Sequence, residues 1–255
     1  MNHREVLAVF DRELRREAAA DGPGTEVERD GDVVRQVGPE DGWNGVLWSG
    51  LRSGADADAA IAAQVRHFGA LGRPFEWKVY GHDRPADLGG RLLAAGFEAE
   101  PEETLMVARA ADVPAAPVPD GIRLVPVTDQ DGVELVADVH EVAFGAARVR
   151  IRERLLAQLA AGTVVAAVAM AGDVPVSAAR MDLHPGTRFA GLWGGGTVPQ
   201  WRGRGVYRAL VAYRAGEAVA RGYEYLQVDA SDQSRPILLR LGFAALTTTT
   251  PYVHP

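Results

Sequence analysis

Apolar residues recur along the chain at two spacings, one helical and one alternating, and together they predict an ordered series of elements. From the middle of the chain onward the series is clear. IRLVPV (122–127) predicts a short strand. Between Val133 and Phe144 the apolar residues Leu135, Val136, Val139 and Val142 predict a helix, and RVRIRERLLAQLA (148–160) predicts another, ended by Gly162. TVVAAVAMAGDVPVSAARMDL predicts two strands joined by a turn at Gly172-Asp173. RFAGLWGGGTV (188–198) is a further strand, weakened by its glycines. Tyr207, Leu210, Val211, Ala215, Ala218 and Val219 mark one face of a helix that Gly222 is placed to end. YEYLQVDA reads as a strand, SRPILLRLGF as a short helix, and the TTTTPYVHP end as a last strand.

The first half echoes this order. GWNGVLWSG and the DADAAIAAQVRHFGAL helix stand where the glycine-rich strand and its helix stand later. EWKVYG (76–81) is a strand, ADLGGRLLAAGF (86–97) a helix, and EAEPEETLMVA a final strand. Both copies follow their late helix with Gly-Phe, at Gly96 and Gly242. Between the halves, AADVPAAPVPDG (110–121) reads as a stiff extended linker, because proline neither continues a helix nor donates to a ladder. The expected organisation is therefore a domain over 1–112, a linker over 113–120 and a domain over 121–255. The class is α+β, with a mixed, mostly antiparallel sheet flanked by helices in each domain.

Composition narrows the chemistry. A chain that is 47% hydrophobic and 24% charged suits sizeable cores. A net charge of -7 argues against a broad nucleic-acid or anionic-membrane surface. With no cysteine, disulfides, thiolate metal sites and a cysteine nucleophile are excluded. The charged start, MNHREVLAVFDRELRREAAA, is unlike a secretory signal, and no apolar run approaches the roughly 20 residues of a membrane span. The expected location is cytoplasmic. Lys78 is the only lysine.

The sharpest local signal is PQWRGRGVYRAL (199–210), two glycines and three arginines ahead of a helix. The first N–H groups of a helix lack intrahelical acceptors and sit at its positive end, which makes them an anion site. Gly203 and Gly205 let a ligand approach the backbone, and Arg202 and Arg204 add forked donors suited to phosphate. A nucleotide P-loop would continue with Lys and Ser or Thr, where Val206-Tyr207 stand. A dinucleotide fingerprint would need a third glycine, where Arg208 stands.

The pattern Gln200-x-x-Gly203-x-Gly205, after a strand ending Thr-Val-Pro, resembles that of the GNAT superfamily of N-acetyltransferases. The likeness runs over about 120–255: two helices after the first strand, the hairpin, VPQWRGRG and the late helix ending Gly-Phe. The two-part chain is similar to tandem members in which one copy has lost the cofactor loop. The resemblance implies acetyl-coenzyme A as co-substrate, with main-chain partners from Thr197 and Val198 for the pantetheine arm. It implies a pyrophosphate site at the amides of Arg202, Gly203, Arg204, Gly205, Val206 and Tyr207, with Gln200 in the motif. Ser231 and Ser234, near the start of the late helix, would flank the adenosine or pantetheine.

The acid–base residues depart from the family pattern. Leu238 stands where many members carry a tyrosine that protonates the leaving thiolate, and 191–196 lack the usual glutamate. Tyr252, on the last strand, is the expected substitute, against a plain packing role. Tyr207 is expected to pack. Trp193 and His140 are expected at the acceptor pocket, Trp193 as a wall or as core, His140 as a pocket or buried imidazole. Asp182 and His184 are read as a hydrated turn. No spacing suggests a metal site. The expected activity is direct acetyl transfer to a primary amine of a small acceptor. The alternative is an acyl-coenzyme A-binding sensor or structural module without turnover. No nucleic acid or membrane partner is expected, and the chain is read as a monomer or homodimer.

Overall fold

Glycines in the left-handed region end several of the elements where the sequence places them. The computed structural model describes every residue except Pro23, Asp41, Ala146 and Ala147. The described residues divide into two units. The first is Met1–Met106 with Asp229–Arg235 and Ala245–Pro255, and the second is Val107–Val228 with Pro236–Ala244.

In the first unit, α1 (His3–Phe10) begins at Asn2, whose side chain accepts the Glu5 N–H, and passes into a π-helical turn over Asp11–Arg16. An antiparallel pair follows, β1 (Glu26–Asp30) and β2 (Val33–Val37). Next, β3 (Gly45–Ser49) and β4 (Phe75–Tyr80) run parallel, joined by α2 (Gly54–Leu71). The segment closes with α3 (Leu88–Ala94), the two-residue β5 (Glu98–Ala99) and β6 (Glu103–Arg109). None of the elements before residue 42 is anticipated above.

The second unit opens with β7 (Ile122–Pro126), α4 (Gln130–Phe144) and α5 (Arg148–Ala161). The hairpin of β8 (Val164–Ala171) and β9 (Val174–Leu183) turns at Gly172-Asp173, with Gly172 at φ 59°. Then come β10 (Phe189–Thr197), a 3-10 turn over Pro199–Trp201, α6 (Val206–Ala220), β11 (Tyr225–Ala230) and α7 (Arg235–Arg240). Its strand order is β7-β8-β9-β10-β11, antiparallel except for β10 with β11. The core joins Val133, Val136 and Val139 of α4, Leu155 of α5 and Leu210 of α6 to the alanine- and valine-rich faces of β8 and β9. Val142 and Val219, expected on buried helical faces, are instead 59% and 48% exposed. Each lies at the edge of its apolar stripe, where the helix has already turned outward.

The last strand, β12 (Ala244–His254), pairs with β4 from Thr249–Tyr80 to His254–Phe75, so its residues from Ala245 onward belong to the first unit. The strand order there is β1-β2-β3-β4-β12-β6. The stretch 245–255, placed by sequence in the domain 121–255, thus completes the other sheet. Period-two alternation splits β4 into two faces. Phe75, Trp77 and Val79 enter a core with Phe68, Leu88, Leu92 and Phe97, where Phe68 stacks on Phe75 at 4.4 Å. Glu76, Lys78 and Tyr80 take the other face, and there Lys78 Nζ bonds Asp229 Oδ2 at 2.6 Å. Burial works against the lysine's charge, but the Asp229 carboxylate more than offsets it and holds the ammonium protonated.

Candidate functional site

The strand β10 stops pairing with β11 at Gly191–Gln227 but continues to Thr197. Against β9 it bulges between Trp193 and Gly196. Beyond the bulge, Val198 N–H donates to the Val176 carbonyl at 3.0 Å, and the Val198 carbonyl accepts from Trp201 N–H at 3.0 Å. Both main-chain groups of Val198 thereby already carry a bond inside the unit. In an antiparallel ladder the neighbouring residue points the other way. Thr197 therefore presents its main-chain groups to the side that β11 leaves open, with its carbonyl taken by Arg202 Nε at 3.1 Å.

The glycine loop then delivers the chain into α6. Gly203 and Gly205 sit at φ 76° and 87°, where residues with a Cβ are strained. A Cβ on Gly203 would meet nothing within 4 Å, so this backbone faces open space. Gly205 is the N-cap of α6 and no side chain caps the helix. Ala209 N–H reaches the Gly205 carbonyl at 3.1 Å, while the N–H groups of 203–208 have no acceptor among the described residues. Arg202 folds back onto Thr197, and Arg204 lies over the Trp201 ring at 4.7 Å. The Arg208 guanidinium stands beside Gly205, a third cation at this corner whose place in the sequence signals only the absence of a third motif glycine. Gln200 is exposed on the 3-10 turn.

In the first unit the corresponding helix end is closed. At α2, Ser53 Oγ accepts the Asp56 N–H and Asp56 returns the bond to Ser53 N–H, a reciprocal capping box. Arg91 donates to the Gly54 carbonyl and pairs with Asp58 and Asp87. An anion arriving there would meet Asp56 where α6 offers bare amides.

The three glycines of the bulge do not leave a void. A Cβ on Gly194 would strike His140 at 2.7 Å, one on Gly195 would strike Tyr207 at 2.8 Å, and one on Gly196 would strike Phe144 at 2.6 Å. His140 is 4% exposed and donates from Nε2 to the Gly194 carbonyl at 2.8 Å. Burial pushes its pKa below the ordinary value, with Arg180 adding to the effect, so the imidazole is neutral. Burial pushes the Tyr207 phenol up, against an opposing pull from Arg214. Trp193 is half-buried, with its indole nitrogen over Gly191. Asp182 is 7% exposed and bonded to Arg180 Nε at 3.1 Å, so it is no hydrated turn.

Of the remaining expected residues, Ser231, Ser234 and Tyr252 are counted with the first unit. Ser231 is exposed and Ser234 half-buried in the turn that opens α7, bonded to each other. Tyr252 packs into the first unit's core, where its hydroxyl would contact a Cβ placed on Gly89. Its position follows from the return of β12 to β4. Leu238 is fully buried. Among the described residues no group of three His, Cys, Asp or Glu could hold a metal ion. Among the same residues, no helix is long and apolar enough to cross a membrane.

No family model matches the sequence, and no curated protein matches it. Solved structures do. A GCN5-related N-acetyltransferase from Kribbella flavida aligns with a TM-score of 0.74 at 17% identity, over 100% of this chain and 96% of that one. A tandem GNAT protein from the clavulanic acid biosynthesis pathway aligns at 0.63 and 15% identity, over 93% and 85%. A GCN5-related N-acetyltransferase from Sphaerobacter thermophilus aligns at 0.62 and 14%, over 98% and 84%. The chain therefore has the fold of the GCN5-related N-acetyltransferases in its tandem form.

Proposed function

We propose that the protein is an acyl-coenzyme A-dependent N-acetyltransferase that moves an acetyl group directly to a primary amine of a small acceptor. The uncapped end of α6 carries this reading. Free amides at 203–208, two left-handed glycines, open space over Gly203 and three nearby arginines suit a diphosphate. The main chain of Thr197 would pair with the pantetheine arm, and acetyl-coenzyme A would supply the activated acetyl group. In the transfer, the amine nitrogen forms the C–N bond as the C–S bond breaks, and one proton passes from the amine to the thiolate. The half-buried phenol of Tyr207, against Gly195, is the side chain we assign to deliver it.

Titration calorimetry with acetyl-coenzyme A tests the reading. Binding is expected, weakened at least about tenfold by Gly203→Glu, which sets a carboxylate against the diphosphate. Gly203→Ala controls for strain in the left-handed region, which costs roughly 1–2 kcal/mol. Absence of binding, or equal binding by Gly203→Glu, would overturn it. A second reading, an acyl-coenzyme A-binding module without turnover, is favoured by the buried Leu238 and the acid-free strand 191–196. Release of free thiol with any amine rejects that second reading.

A further inference from the structure

Three guanidiniums and one carboxylate are packed beside the bulge of β10. In the β9–β10 ladder Arg180 stands opposite Trp193 and Asp182 opposite Gly191, so the two side chains share a face. Asp182 accepts from Arg180 Nε at 3.1 Å and from Arg154 of α5 at 3.5 Å. Arg214 of α6, 1% exposed, donates from Nε to the Leu210 carbonyl and from one terminal nitrogen to the Arg180 carbonyl. Its other terminal nitrogen has no partner. Among the described residues no second carboxylate pairs with any of the three. Burial pulls Arg214 down to about 10 and also lowers Arg180, which Arg154 further repels. A chain of net charge -7 thus gathers three cations against one carboxylate here, and one of them, Arg214, is buried without a carboxylate partner. Structures seldom keep a buried charge without a partner, and where they do, a functional site is a common reason.

We propose that Arg180 and Arg154 form an anion subsite for a carboxylate of the acceptor, which makes that acceptor an amino acid rather than a polyamine. Asp182 occupies Nε of Arg180, so the terminal fork is left for a second, bidentate carboxylate. Arg154, whose side chain is 49% exposed, opens the subsite to solvent. On its inner side Arg180 reaches to 3.4 Å from where a Gly194 Cβ would stand, beside His140. A carboxylate held there leaves an amine a few atoms away, at the bulge. The same positive charge disfavours the ammonium form, which yields the neutral nucleophile without a carboxylate base. A polyammonium ligand meets a net positive charge here. The fate of the amine rests on the acetyltransferase reading, whereas the carboxylate subsite does not.

The test uses the full chain and matched pairs, the proteinogenic amino acids and their amides, titrated at constant ionic strength. The reporter is the ¹⁵N-labelled indole N–H of Trp193, assigned through Trp193→Phe. At least one acid is expected to shift it saturably while its amide does not. Arg154→Gln, on the exposed side, is expected to weaken that acid about tenfold. No response to any acid, equal response to acid and amide, or unchanged acid binding in Arg154→Gln overturns the subsite. Thiol release from acetyl-coenzyme A with the same pairs separates the two readings. Transfer to amides in preference to acids overturns the subsite and leaves acetyl transfer standing. If acetyl-coenzyme A does not bind, acetyl transfer falls and the indole titration alone decides the subsite.

Discussion

Gly194, Gly195 and Gly196 show how far single residues can be read from sequence. Their presence marks a weak strand, and this much is legible. An absent side chain, however, looks the same whether the space serves a ligand or a neighbouring ring. Here His140, Tyr207 and Phe144 fill it. Leu238 and the acid-free strand were legible in the same way, as chemistry removed, with no sign of what replaces it. Tyr252 lies on the last strand as its sequence places it, but the sheet that strand joins is set by pairing, which its own residue type does not encode. Two predictions belong at this scale. Tyr207→Phe keeps the ring against Gly195 and removes the proton, so turnover should fall roughly 10²-fold with acetyl-coenzyme A affinity unchanged by calorimetry. Unfolding frees His140 to titrate near 6.5, above its folded value. The unfolded chain therefore takes up the proton first as pH falls. The stability that neutral His140 contributes is complete above about pH 6.5 and is lost as pH drops toward the folded pKa. Thermal melts between about pH 7.5 and about pH 5 should show the wild type losing more Tm than His140→Gln, which can still donate to Gly194.

The contrast between α2 and α6 was partly visible in the chain, because the first half has nothing like RGRG. The cause of the difference is also written in the chain, as the Ser53-Gly-Ala-Asp56 spacing of a capping box, a signal unused above. It lies in reciprocal bonds between Ser53 and Asp56, which depend on the backbone turning at Ser53. The strands and helix before residue 42 carry only a weak apolar pattern in the sequence. Two residues of the edge strand β1 are half-buried and the rest are exposed, which leaves little alternation to detect, and α1 buries only Val6, Val9 and Phe10. If the capping box is structural alone, Ser53→Ala should cost about 1 kcal/mol in denaturant unfolding while acetyl-coenzyme A affinity stays the same. Weakened coenzyme binding in that variant would mean that α2 takes part in the site.

The chain as a whole leaves its first unit, builds the second and returns, and no composition shift marks the return. TTTTPYVHP is β-prone sequence that could end either sheet; its register with β4 decides. Residues 1–112 alone would lack β12 between β4 and β6, leaving two long unpaired edges. That fragment should be insoluble or unfolded by circular dichroism, and appending 244–255 through a flexible linker should recover folded protein. Soluble, folded 1–112 without the extra strand would contradict the role given to β12. Lys78, beside that strand, has a chemical corollary. On the acetyltransferase reading proposed above, an activated acyl group beside the protein could acylate its own surface. This chain's one ε-amine is locked as an ammonium against Asp229, so thioesters and activated esters in solution find no side-chain nucleophile of that kind to modify.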